Sequence, residues 1–179
     1  MPFNLKKYSQ IEKSEEWYNT DTAENTTDPS ILHNILERNK DDFVSELAAE
    51  NPNCSPETLK MVLERNEGND VSQHAVLNPN CPPETLHMVL KRNNDDYVSR
   101  NAASNSNCTP ETLRMVLERN KDDSVSEMAA LNPNCPLESK IQWMRNTGKI
   151  IQEDPNKHDI DKSEDNKDED LDKLKSLIV

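Results

Sequence analysis

Apolar positions recur along this chain in a pattern of fixed length. Leu59, Val62 and Leu63 are spaced i, i+3, i+4, the stripe of one buried helix face. The same spacing returns at Leu86, Val89 and Leu90, and again at Leu113, Val116 and Leu117. Lys60 and Glu64 fall on another face of the first of these helices. A second, shorter apolar pattern follows each stripe. Val98 and Ala102, four residues apart in Tyr97-Val98-Ser99-Arg100-Asn101-Ala102-Ala103-Ser104, point one way, and the small alanines suit a close approach of neighbouring elements. This second element is too short for a robust isolated α-helix, and its pattern also fits a 3₁₀ or irregular turn.

Between the apolar stretches stands a polar phrase. It reads Asn51-Pro52-Asn53-Cys54, Asn78-Pro79-Asn80-Cys81, Asn105-Ser106-Asn107-Cys108 and Asn132-Pro133-Asn134-Cys135, each start 27 residues after the last. A constant period of that size marks stacked repeats. The phrase is a turn signal. The prolines after it suit a first helical turn, and Glu84, three residues after Cys81, stands where a capping-box carboxylate belongs. Thr27 occupies the cysteine's place in the leading unit, which puts the cysteine at a cap or beside one. Asn94-Asp95-Asp96 closes one helix and caps the next.

The expected architecture is therefore all-α: a solenoid of stacked units, each a helix plus a short helix or 3₁₀ turn. Residues 1–26 carry Phe3, Tyr8, Trp17 and Tyr18 and read as an N-terminal helical cap. Residues 27–150 are the repeats. The closing half-unit breaks the columns, with Lys140 at the place of Leu59 and Trp143 at that of Val62, as a terminal repeat should. Gly148 fits the end of its helix. Residues 151–179 read as an acidic disordered tail, with Leu171, Leu174, Leu177 and Ile178 spaced for a possible short terminal helix.

The phrase Asn-Pro-Asn-Cys-Pro-Pro-Glu-Thr-Leu, followed by a helix and a Val-Ser-x-x-Ala-Ala-Leu segment, resembles the leucine-rich repeat variant family over residues 27–145. The resemblance implies alternating α- and 3₁₀ helices in a right-handed superhelix. It is nearly silent on function. Two departures stand out. That family commonly has arginine after the valine, where this chain has Ser45, Ser72, Ser99 and Ser126. One branch of it carries an iron–sulfur module before its repeats, and the N-terminal segment here has no cysteine, so that activity is not implied. HEAT-like helix pairs are the alternative architecture, but their units are longer.

Charge narrows the partners. The net charge of −13 is spread over the whole chain, about −2 in residues 1–26, −6 in 27–150 and −5 in 151–179. That balance argues against a nucleic-acid backbone or an anionic membrane as principal partner, since both need a positive footprint. A nucleic-acid-associated reading would need Lys60, Lys91, Arg100 and Arg114 to cluster on one face. No apolar run is long enough to span a bilayer, and Met1–Lys7 lacks the apolar stretch of a secretory signal, so the expectation is a cytoplasmic protein with reduced thiols. With only Gly68 and Gly148, no glycine-rich phosphate cradle is present.

Few residues invite chemistry. The four cysteines sit at equivalent positions of units whose helices lie about 8–10 Å apart, too far for disulfides or a shared zinc, and are expected to be separate thiols. His33 and His87 share a position with Lys60 and Arg114, which marks it as exposed. Arg38, Arg65, Arg92 and Arg119 form one column and the paired aspartates another, read together as a ladder of ion pairs between units. No catalytic, cofactor or metal residues are assigned. The positions that vary between otherwise matching units are the candidates for binding a protein partner: Phe43, Glu46, Gln73, His74, Tyr97, Arg100, Asn101 and Glu127. The functional expectation is a monomeric, non-enzymatic interaction scaffold. A nucleic-acid-associated repeat protein and a regulatory accessory subunit of an enzyme complex are the alternatives.

Overall fold

The computed structural model describes residues 18–150. The N-terminal segment before Tyr18, the acidic tail and its terminal Leu171–Ile178 pattern lie outside the described residues. Among the described residues every regular element is α-helical. The chain divides into two compact units, one running to Val89 and the other from Leu90 on.

The first unit opens with α1 (Thr20–Asn25), capped by the Asn19 side chain, which accepts from the Thr22 N–H at 2.9 Å. Then come α2 (Pro29–Glu37), α3 (Phe43–Glu50), α4 (Pro56–Glu64) and α5 (Asp70–Leu77). α6 (Pro83–Lys91) carries the division. The second unit holds α7 (Tyr97–Ser104), α8 (Pro110–Leu117), α9 (Ser124–Leu131) and α10 (Leu137–Asn146). In the first unit α2 packs on α4 and α3 on α5; in the second α8 packs on α10 and α7 on α9. This is the all-α repeat architecture expected from the 27-residue period.

Proline starts the longer helices for a local reason. At N1 its missing N–H has no helical partner to lose. The residue before it caps: Asp28, Ser55 and Thr109 accept from main-chain N–H groups of the first turn. Thr27 and the cysteines therefore stand one place outside the cap. The glutamate is N2 rather than N3, so no capping box forms. Threonine takes N3 and meets the cap hydroxyl instead, Ser55 to Thr58 at 3.0 Å and Thr109 to Thr112 at 3.1 Å. Each of these helices ends in an asparagine with left-handed backbone, Asn39, Asn66, Asn93 and Asn120, at φ between 53° and 61°. Asparagine tolerates that region better than most residues.

The shorter elements are full α-helices of 8 residues, not 3₁₀ turns. Side-chain caps account for the difference. Asp42, Asn69, Asp96 and Asp123 accept from the N3 amides of Ser45, Ser72, Ser99 and Ser126 at 2.7–3.0 Å. The cap offsets part of the nucleation cost that makes such a short helix marginal. Small residues then go inside, for example Val98, Ser99, Ala102 and Ala103.

The asparagine phrase links neighbouring repeats. Asn78 Nδ2 donates to Ala49 O at 2.7 Å and Asn51 O at 3.0 Å; Asn80 Nδ2 donates to Pro52 O and Cys54 O. Asn132 and Asn134 repeat this in the second unit toward Ala103, Asn105, Ser106 and Cys108. Each buried asparagine also closes its own turn, as where Asn51 Oδ1 accepts from Asn53 N at 2.8 Å. Buried carbonyls at the helix ends are thereby satisfied, which would otherwise cost about 1–3 kcal/mol each.

Candidate functional site

The candidate partner-binding residues all lie on the shorter helices, at their first, fourth and fifth positions. The buried stripe of these helices uses the second, third, sixth and seventh positions, so the first points outward. Phe43 and Tyr97 stand there, 61% and 63% exposed. Each ring leaves a large apolar surface open on an otherwise polar helix face.

The first and fourth positions are i, i+3 neighbours on a helix. Their contents differ from repeat to repeat. In α5, Gln73 Nε2 donates to Asp70 Oδ1 at 2.8 Å. In α7, the Arg100 guanidinium lies 4.9 Å over the Tyr97 ring. In α9, Glu127 is held by Lys149 Nζ at 3.0 Å, and the same ammonium meets Asp122 at 2.8 Å. These two carboxylates raise the Lys149 pKa, the hydrogen bond to Asp122 foremost. At the fifth position His74 Nδ1 approaches Glu50 Oε2 of α3 at 3.7 Å. The first unit thus assembles Phe43, Glu46, Gln73 and His74 on α3 and α5. The second assembles Tyr97, Arg100, Asn101 and Glu127 on α7 and α9.

Two expectations need correction. Arg65 and Arg119 of the arginine column reach back to main-chain carbonyls of the preceding longer helix rather than to aspartates. Arg65 Nη2 donates to Leu36 O at 2.8 Å, and Arg119 Nη2 donates to Leu90 O. Arg38 meets Asp42 within its own repeat at 3.8 Å. The second aspartate of each pair, Asp42, Asp96 or Asp123, is a helix cap. The shared histidine position is not uniformly exposed: His33 is half-buried, with Nδ1 3.0 Å from Thr58 Oγ1.

The four thiols are free. Burial pushes Cys54 and Cys108 up to about 12, and raises Cys135 by the same cause. Cys54 and Cys108 are inert core thiols rather than nucleophiles. Among the described residues no three His, Cys, Asp or Glu side chains converge as a metal site. Lys60 and Arg114 each face a glutamate one turn on, Glu64 at 3.8 Å and Glu118 at 3.9 Å, so their charge is locally offset. No described helix is long and apolar enough to cross a membrane.

Sequence reasoning missed two exposed leucines, Leu77 and Leu131, at the last position of α5 and α9. The signal was available, because Glu50 and Ser104 hold that position elsewhere, making it another varying column. It also missed an open cleft of about 440 Å³ against α8 and α10 in the second unit. Comparison of the chain with family models, curated proteins and solved structures returns no match.

Proposed function

We propose that this chain is a non-enzymatic, cytoplasmic protein-interaction scaffold of the leucine-rich repeat variant kind, binding its protein partner through the outward positions of the shorter helices. One observation carries the reading. The buried columns repeat almost unchanged, while Phe43 and Tyr97 stand exposed at a position that holds Asp70 and Ser124 in the other repeats. Packing does not require an aromatic ring there, and aromatics with arginine are the residues that dominate interface energies. An accessory subunit of an enzyme complex would use the same surface.

The test compares affinity capture by the wild-type protein with capture by Phe43→Ala and Tyr97→Ala. Both variants should melt within about 0.5 kcal/mol of wild type, since neither ring is buried. A partner retained by wild type and lost from either variant supports the reading. A partner held equally by all three places the interface elsewhere.

A further inference from the structure

Two arginines of the column, one in each unit, tie a longer helix to the one before it. Arg65 follows α4 and gives a guanidinium N–H to Leu36 O, at the end of α2. Arg119 follows α8 and does the same to Leu90 O, at the end of α6. In both cases the leucine carbonyl already accepts the N–H of the left-handed asparagine three residues on, at 3.1–3.2 Å, and the guanidinium takes its second lone pair. The next carbonyl in the series is Leu117 O. It accepts Asn120 N–H at 3.0 Å, but position 146 carries asparagine instead of arginine. Asn146 is too short for the task and turns to Asn120 Oδ1 at 2.6 Å. Beside Leu117 and Asn146 the structure has the open cleft of about 440 Å³, bordered also by Glu118, Asn120, Glu138 and Trp143.

We infer that this cleft is a binding site for a guanidinium group, filled by an arginine side chain of a partner polypeptide in place of the arginine the last repeat lacks. The fit is chemical. Leu117 O offers an acceptor that two equivalent leucines already give to arginine. Leu117 and Trp143 supply apolar surface for the methylene stem. Arg114 borders the cleft too, but it faces Glu118 at 3.9 Å, so the pair is nearly neutral. Glu138, in the first turn of α10, borders the other end of the cleft and adds negative charge along it. A chain of net charge −13 attracts such a ligand at long range. Arginine gives this carbonyl a planar N–H donor, as Arg65 and Arg119 do to the equivalent leucines, which a lysine ammonium matches less well. This site is separate from the shorter-helix surface and stands whether or not that surface binds.

The experiment titrates the full chain with acetyl-Gly-Arg-Gly-amide and its lysine counterpart, followed by amide and indole shifts in NMR. The arginine peptide should move Leu117, Asn120 and the Trp143 indole N–H, and the lysine peptide should bind several-fold more weakly. Asn146→Arg supplies the missing side chain from within; it should weaken the peptide by about tenfold or more, since charge-assisted hydrogen bonds are then already made. Glu138→Gln keeps the shape, tests the carboxylate should Asn146→Arg fail to fold, and should weaken binding several-fold. The inference is overturned if the arginine peptide leaves these signals unmoved. It is overturned equally if lysine binds as well, or if a folded Asn146→Arg or Glu138→Gln binds like wild type.

Discussion

Helices α8 and α10 occupy equivalent places in successive repeats, yet they fill the same buried slots differently. α8 buries Leu113, Val116 and Leu117, while α10 buries Lys140, Trp143 and Met144. The Trp143 indole N–H donates to Lys121 O at 2.7 Å, and Lys149 lies 5.2 Å over its ring. The ends differ as well. Asn120 reverses the chain after α8, whereas α10 runs farther and ends at Gly148, φ 74°, with Lys149 N–H bonded back to Met144 O and Gly148 N–H to Arg145 O. That paired closure is a Schellman motif. An internal helix must satisfy a neighbour on each side and keeps small, interchangeable aliphatics. Among the described residues α10 packs on α8, and it carries bulky and amphipathic residues in those slots.

The largest test of that contrast is a pair of substitutions at one register. Leu113→Ala should cost about 2–5 kcal/mol in urea unfolding, because it leaves a cavity in a fully buried column. Lys140 is only 7% exposed, and burial lowers its pKa. Its charged form is therefore disfavoured by folding at neutral pH, and Lys140→Leu should raise the melting temperature. A loss at both sites would show that α10 is packed like any internal helix.

A smaller effect separates the two asparagines of the turn. Asn132→Ala removes the side-chain donor to two buried carbonyls and should cost about 1–3 kcal/mol. Asn134→Ala, on an exposed asparagine, should cost less than half as much. Equal costs would mean that the buried link is not what couples the repeats.

The smallest effect is kinetic. Cys54, Cys81 and Cys108 are fully buried and Cys135 only partly. With iodoacetamide at pH 8, Cys135 should label first, and all four should label in urea without a reductant. The pH dependence follows in sign. Folded thiols raised from 9.0 to about 12 stabilise the protein below pH 9, and that contribution is lost as the pH climbs toward 12. Labelling of Cys54 ahead of Cys135 would contradict the burial order.

The period, the two helices per repeat and the buried Leu, Val and Ala columns were all legible in the sequence. Hydrophobic spacing and proline position act locally, and 27-residue repetition states the same solution several times. The cap was left open between two places because Thr27 and Asp28 are both good caps, and only the backbone decides between them. The shorter element looked too short for an α-helix because the gain from its aspartate cap depends on geometry. The arginines were paired with aspartates because sequence displays side chains and hides main-chain acceptors. Leu36 O and Leu90 O came into reach only when successive helices stacked. For the same reason the cleft at Leu117 could not be anticipated: it is the space left where a column of otherwise ordinary residues stops one arginine short.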